Sequence, residues 1–313
     1  MTIFNLGSIN ADLFYRVPHL PAPGETLAAT AHGRGLGGKG ANQSVAAAHA
    51  GAQVCHIGAV GEDGAWMRAE LEALGVDCRH VLRHDGASGH AVIAVAEDGE
   101  NSILLFAGAN REITPAQVAA ALATARAGDW LLLQNETSAQ LEAARIAQEQ
   151  GLFVVYSAAP FEAEAVIDLL PHLHALIMNE IEATQLCSAL GCTLADLPMA
   201  HAIVTQGARG AVWHDLRAGN EYRVAAVPVT AIDTTAAGDS FTGYLVAGLA
   251  EGMQPDEAMR LAAAAAALKV TRAGTAEAIP TRDEVDAFLK GRTDEALRLS
   301  ARPAGLGGDL GER

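Results

Sequence analysis

The sequence is short of cysteine, of positive charge and of long apolar runs, and each shortage removes a class of function. Its four cysteines, Cys55, Cys78, Cys187 and Cys192, include no C-x-x-C pair, so nothing indicates a redox dithiol or a cysteine-framed zinc site. The 21 basic residues face 37 acidic ones, a net charge of −16. A surface for nucleic acid or anionic membrane needs a basic stripe that this balance does not supply. The longest apolar run, Leu261 to Leu268, is mostly alanine and far shorter than the ~20 residues that span a bilayer. The N-terminal Met-Thr-Ile-Phe-Asn-Leu-Gly-Ser-Ile-Asn has no basic stretch ahead of an apolar core, as a secretory signal would. The histidines are scattered, and His172 and His174, alternating beside a proline, suit the surface better than a metal. These absences predict a reduced, cytoplasmic protein with no membrane segment and no nucleic-acid partner, which must meet any anionic cofactor with local backbone donors.

What is present is 50% hydrophobic content over 313 residues, enough for one large α/β domain. Apolar and β-branched runs alternate with alanine-rich helical stretches, the pattern of a mostly parallel sheet covered by helices. Core strands are expected at 3–7, 54–60, 130–134, 153–157, 175–178, 202–205 and 211–214, and helices at 41–50, 115–126, 139–150 and 256–270. Two segments break the alternation, 13–34 and 89–107, which read as strands with no helix between them. The turn Glu97-Asp98-Gly99-Glu100 joins the two halves of the second. They predict a small β lid, with strands from about 11–36 and 88–108, on a domain spanning 1–290. Beyond it, residues 291–313 turn polar and then glycine-rich, a tail expected to be disordered at its end.

One segment stands out for chemistry. In Asp233-Thr-Thr-Ala-Ala-Gly-Asp239 a small-residue turn runs into the apolar helix that follows, which aims the backbone N–H groups of Ala236, Ala237 and Gly238 at a helix-end ligand. Asp239 stands beside that anion nest, placed to accept a proton from an attacking hydroxyl; the plain alternative is a capping residue. A second segment, Gly37-Gly38-Lys39-Gly40-Ala41-Asn42-Gln43, opens a helix. Its glycines permit close approach of a ligand, and Lys39 and Asn42 offer donors suited to a polyhydroxy molecule. Gly35 to Gly40 imitates a dinucleotide fingerprint and Gly33 to Lys39 a P-loop, but Gly40 replaces the hydroxyl a P-loop needs and no strand-like run precedes either. Glu62 and Asp63 keep the dinucleotide reading open.

Three further groups are weaker alone. Asn179 and Glu182 sit at a strand end, one turn apart, able to reach a nucleotide and its magnesium waters, or simply to start a helix. Thr205-Gln-Gly-Ala-Arg-Gly210 is a strand-end loop whose Gly207, Gly210 and Arg209 suit a phosphate or ribose, or merely a β-turn. Asn10, Asp12 and Glu136 lie at strand carboxyl ends, where open α/β sheets bind ligands; solvation of loops is their ordinary role.

With both Gly-Gly-Lys-Gly-Ala-Asn-Gln at 37–43 and Asp-Thr-Thr-Ala-Ala-Gly-Asp at 233–239 in order, and Gly-Ser-Ile-Asn-Ala-Asp at 7–12, the chain resembles the ribokinase-like (PfkB) carbohydrate kinase family over roughly residues 2–289. The resemblance implies a three-layer α/β sandwich with a mostly parallel central sheet and a β lid. It implies ATP-dependent phosphorylation of a pentose at a primary hydroxyl, with D-ribose the leading substrate; another sugar or nucleoside kinase, or a sugar-binding regulator without turnover, are the alternatives. On this pattern Asn10, Asp12, Gly38, Lys39, Asn42 and Glu136 hold the sugar and Asp239 is the base. Asn179, Thr205, Gly207, Gly210 and Gly238 line the ATP site, and Glu182 organises Mg2+ through water. Asp233, Thr235, Arg272 and Gly274 match positions that bind an activating monovalent cation such as potassium, and the lid offers a homodimer interface.

The sequence departs from the pattern in places. Ala278 stands where the family has a serine hydroxyl on the cation, and Lys269 where it has a carbonyl donor. The Lys269 ammonium replaces the ion electrostatically if it points inward, and leaves the ordinary site intact if it points to solvent. The stretch 179–205 is short by about one helix, and Ala263 replaces an Asn or His near the adenine.

Overall fold

The computed structural model describes residues 1–291 and 300–303. In chain order its strands are β1 (Thr2–Leu6), β2 (Asn10–Val17), β3 (Ala31–Gly37), β4 (Gln53–Val60), β5 (Asp77–Arg83), β6 (Gly89–Ala96), β7 (Asn101–Phe106), β8 (Trp130–Gln134), β9 (Phe153–Ser157), β10 (Ala175–Asn179), β11 (His201–Thr205), β12 (Ala211–Asp215), β13 (Asn220–Val224) and β14 (Ser300–Pro303). The helices are α1 (Lys39–His49), α2 (Ala65–Ala73), α3 (Pro115–Leu122), α4 (Gln140–Glu149), α5 (Ala163–Leu169), α6 (Glu180–Leu190), α7 (Ala237–Glu251), α8 (Pro255–Val270) and α9 (Arg282–Lys290).

Ten strands form one sheet in the order β14-β13-β12-β11-β10-β9-β8-β1-β4-β5. It is parallel from β11 to β5 and antiparallel from β11 to β14. Its central strands are apolar on both faces, as a sheet covered twice must be. Along β10, Ala175 and Ile177 face one cluster and Leu176 and Met178 the other; along β8, Leu132 opposes Leu131 and Leu133. Helices α1, α2, α7, α8 and α9 pack on the first face and α3, α4, α5 and α6 on the second, which completes three layers. Small residues set the spacing of α1 against α7. A Cβ on Gly243 would fall 2.5 Å from the Ala46 side chain and 2.6 Å from the Gln43 carbonyl.

The second sheet, β3-β2-β6-β7, is the lid. It begins at Asn10, four residues past the end of β1, so it grows directly from the carboxyl end of the central strand. Its edge strand β7 is exposed throughout, with Ile103, Leu104, Leu105 and Phe106 among the largest exposed apolar side chains. In the C-terminal segment, Ser300–Pro303 pairs with β13; the expected disorder of the final residues lies outside the described residues. Among the described residues no helix is long and apolar enough to cross a membrane.

Candidate functional site

The glycines of 37–40 serve close approach of backbone to backbone and to one carboxylate. A Cβ on Gly37 would fall 2.1–2.4 Å from the Asp12 carboxyl atoms, and one on Gly40 would fall 2.3–2.4 Å from the backbone of Gly7 and Ser8. Gly38 takes φ 93°, open to glycine at no cost, and starts α1. The preceding strand β3 is antiparallel to β2 in the lid, so the dinucleotide reading lacks the parallel strand it requires. Asp63 accepts from the backbone N (2.8 Å) and Oγ (2.7 Å) of Ser88, a brace between loops.

At the start of α7, Ala236 adopts the left-handed φ of 57°, a conformation that costs a non-glycine residue about 1 kcal/mol. The helix has no side-chain cap, so Asp239 does not play the capping role open to it. Its carboxylate instead meets α1: Asn42 Nδ2 donates to Oδ2 at 3.0 Å and Gln43 Nε2 to Oδ1 at 2.9 Å. The first-turn amides of Gly238 and Asp239 have no intrahelical acceptor. One carboxylate with both oxygens fixed thus adjoins amides free to bind an anion.

Behind Asp239 runs a buried polar chain that residue types alone did not reveal. Gln134 Nε2 donates to Gln43 Oε1 and Asn5 Oδ1, both at 2.9 Å. Asn5 Nδ2 in turn donates to Ser44 Oγ and Gly40 O, both at 2.8 Å. His56, fully buried, is pushed down to about 4 by desolvation and is neutral. Its Nε2 lies 3.0 Å from Gly7 O, which can only accept, so Nδ1 accepts from Ser44 Oγ at 2.8 Å. Gln43 carried a signal, since it follows Asn42 in the motif; Asn5, Gln134 and His56 carried none.

The residues expected at the sugar lie close together where β2 of the lid meets the start of α1. Glu136 accepts from Ser8 Oγ and from the Lys39 backbone N at 3.2 Å. Asn10 Oδ1 accepts from Asn110 Nδ2 at 2.8 Å, and Asn110 is itself clamped to the backbone of Ile9. Burial, then repulsion from Glu136, Glu277 and Asp239, raises Asp12 to about 7 against the opposing pull of Lys39. The Lys39 ammonium is raised, chiefly by Asp239 and against its own burial. Asn42 Oδ1 is buried with no partner, an acceptor waiting for a donor.

The residues expected at the nucleotide line cavities nearby. A cavity of about 190 Å³ is lined by Lys39, Asn179, Glu182, Thr205, Gly238 and Asp239, among others. It shares Thr205, Thr234, Ala237 and Gly238 with an apolar cavity of about 470 Å³ that includes Gly207, Gly210 and Ala263. Asn179 and Glu182 make a capping box, Asn179 N to Glu182 Oε2 at 2.7 Å and Glu182 N to Asn179 Oδ1 at 2.9 Å, which is the helix-start role, and both also line the smaller cavity. Burial raises the Glu182 carboxyl. Arg209 turns away from the cavities and pairs with Glu180.

Beyond the nest, Asp233 accepts from Thr235 N at 2.9 Å and Gly274 N at 3.0 Å, while the Arg272 guanidinium pairs outward with Glu284 at 2.7 and 3.2 Å. The Lys269 side chain is 0% exposed and points inward, its Nζ 3.3 Å from the carbonyls of Asp233 and Arg272 and 3.7 Å from Asp233 Oδ2. Its ammonium is drawn below the usual lysine range by burial and held up by Asp233 and Glu277.

The model of the pfkB family of carbohydrate kinases matches residues 2–282. The ribokinase of Haemophilus influenzae is 38% identical over 303 residues, covering 92% of this chain and 98% of that protein. Among solved structures, the ribokinase of Cryptococcus neoformans in complex with ADP superposes with a TM-score of 0.79 at 33% identity, over 91% of this chain and 98% of that one. The Arabidopsis thaliana ribokinase complexed with ribose and ATP gives 0.81 at 28% identity, over 92% and 98%.

Proposed function

This chain belongs to the pfkB family of carbohydrate kinases, and from that premise we propose that it transfers the γ-phosphate of ATP to the primary hydroxyl of D-ribose, giving ribose 5-phosphate. The observation that carries the reading is the meeting of the two distant motifs: Asn42 and Gln43 grip the Asp239 carboxylate at the mouth of a cavity that continues to the apolar pocket. Two donors, one to each oxygen, fix the orientation of the Asp239 carboxyl group, which a general base requires. Ribose lies under the lid, its hydroxyls met by Asn10, Asp12, Lys39, Glu136 and the backbone of Gly38, and one of them donates to the unpaired Asn42 Oδ1.

The adenine occupies the apolar cavity, with the triphosphate running past Asn179, Thr205, Gly207 and Gly210. Of the three amides of the nest, that of Ala237 donates to Thr234 O at 3.3 Å; those of Ala236 and Gly238, with that of Asp239, face the transferred phosphoryl group and stabilise the charge it develops. Glu182, buried and partly satisfied by Asn179 N, fits the water shell of a magnesium ion, which supplies charge neutralisation to the phosphates when bound. Catalysis is then mainly positioning and electrostatics. The exposed apolar edge Ile103–Phe106 supports a homodimer formed lid to lid. The charge balance and the paired backbone chemistry suit small-molecule partners in the cytoplasm.

An ADP-release assay over ribose, deoxyribose, fructose, ketodeoxygluconate and nucleosides tests the reading, run with and without magnesium. Ribose should give the highest kcat/KM. Asp239→Asn should lower kcat by about a hundredfold or more while ribose still binds. Ribose-independent ADP release, a better substrate of another class, or near-normal turnover of the variant would each overturn the part concerned.

A further inference from the structure

The Lys269 ammonium occupies the place from which the loop 233–238 is held, and it already takes the oxygens that a free monovalent cation would need. Both carbonyls that point inward, Asp233 O and Arg272 O, accept from Nζ. The Asp233 carboxylate, already bonded to the amides of Thr235 and Gly274, adds a third oxygen at 3.7 Å. The neighbouring Ala278 is buried and offers no hydroxyl, and a Glu277 oxygen stands 2.3 Å from where a Cβ on Gly274 would fall. A lysine with no exposed surface is rare unless its charge is matched; here it is matched by oxygens of Asp233, in the loop entering α7, and of Arg272, in the turn after α8.

We propose that Lys269 is a built-in monovalent cation: a positioning residue whose tethered ammonium orders the loop 233–238 and adds positive charge beneath the anion nest, so that the enzyme needs no free potassium. The proposal rests on the kinase reading above for its consequence in turnover, but not for its consequence in stability. An ammonium and a potassium ion carry the same charge and are of similar size, so the group that lacks the tether should accept the ion. Asp233 is the shared ligand, and through it the charge acts on the backbone that leads to Ala236 and Gly238 without touching the substrate.

Two readouts on wild type, Lys269→Ala and Lys269→Met separate the possibilities, each in potassium and in tetramethylammonium at equal ionic strength. In thermal unfolding, wild type should melt alike in both salts. Lys269→Ala should melt lower and regain roughly 2–4 °C in potassium or ammonium only, as binding to a vacated site requires, and Lys269→Met, whose side chain fills the space, should not respond. In turnover, Lys269→Ala should lose about tenfold to a hundredfold in kcat with little change in sugar KM, restored by potassium or methylammonium. Wild type activated or stabilised specifically by potassium would overturn the proposal, as would a Lys269→Ala enzyme with unimpaired kcat or one impaired in both readouts without cation rescue. Should no sugar support turnover, the salt-specific melting still decides on the cation, and the failure falls on the kinase reading alone.

Discussion

Replacing Asp12 with asparagine should stabilise the ligand-free protein while weakening its grip on the sugar, and the two effects should part with pH. The carboxyl is raised to about 7 from 3.8, first by burial and then by Glu136, Glu277 and Asp239. A group whose folded pKa lies above its unfolded value keeps its full stability at low pH and loses it as pH rises through the folded pKa. Roughly three units at about 1.4 kcal/mol each set an upper bound of about 4 kcal/mol for the cost of the ionised carboxylate above pH 7. The amide carries no charge to desolvate. Asp12→Asn should therefore melt roughly 3–8 °C above wild type at pH 8, and the gap should shrink steadily toward pH 5, where wild-type Asp12 is protonated in the folded state. Sugar binding runs the other way, because an ionised carboxylate is the better acceptor for hydroxyls and its loss costs about 1.5–3 kcal/mol. The variant's sugar KM should rise at least tenfold, and wild-type affinity should improve as pH rises through 7. Scanning fluorimetry from pH 5 to 8.5 beside initial rates measures both. A stabilisation that is absent at pH 8, or that grows on acidification, would refute the electrostatic account of this residue.

Gly40→Ala tests the packing of α1 on the loop after β1: its Cβ would fall 2.3–2.4 Å from Gly7 and Ser8 backbone atoms that cannot swing away, so a loss of about 2–4 kcal/mol in urea unfolding is expected, and wild-type stability would contradict the geometry. Leu104→Glu together with Phe106→Ser removes the exposed apolar edge of the lid. Sedimentation should report dimers for wild type and monomers for the variant; a monomeric wild type overturns the lid-to-lid dimer, and a variant that remains dimeric places the interface elsewhere.

Much of the architecture is legible in the sequence because the central strands are apolar on both faces. Runs such as Trp130–Gln134 and Phe153–Ser157 have few readings other than a buried strand. The strands that escape notice are β5, Asp77-Cys-Arg-His-Val-Leu-Arg83, β13, Asn220-Glu-Tyr-Arg-Val224, and β14, Ser300–Pro303, all toward the sheet margins; the first two carry charge at half-exposed and exposed positions. The two signature motifs are legible because each is contiguous and each has a backbone task. The buried chain through Asn5, Gln43, Gln134 and His56 is not, because its partners are up to 129 residues apart and each side chain looks like an ordinary polar residue within its own strand or helix. Lys269 is a different case: its position is readable, but its direction depends on which carbonyls the following turn presents, and that is a property of the folded loop.

The grip of Asn42 and Gln43 on Asp239 joins residues 197 and 196 positions apart, and this imposes an order in time on the newborn chain. At about 5–20 residues per second a ribosome needs on the order of 10–40 s to extend from the first motif to the second. Throughout that interval α1 has no α7 to lie against, and its alanine face, with the glutamine that will hold the carboxylate, stands open to water or to other chains. Strand β1 faces a shorter wait, since β4 and β8 flank it and are both made well before α7. The sheet's centre can therefore assemble during synthesis while the corner between α1 and α7 closes late, and any product cut short before residue 239 lacks one of the groups that meet there.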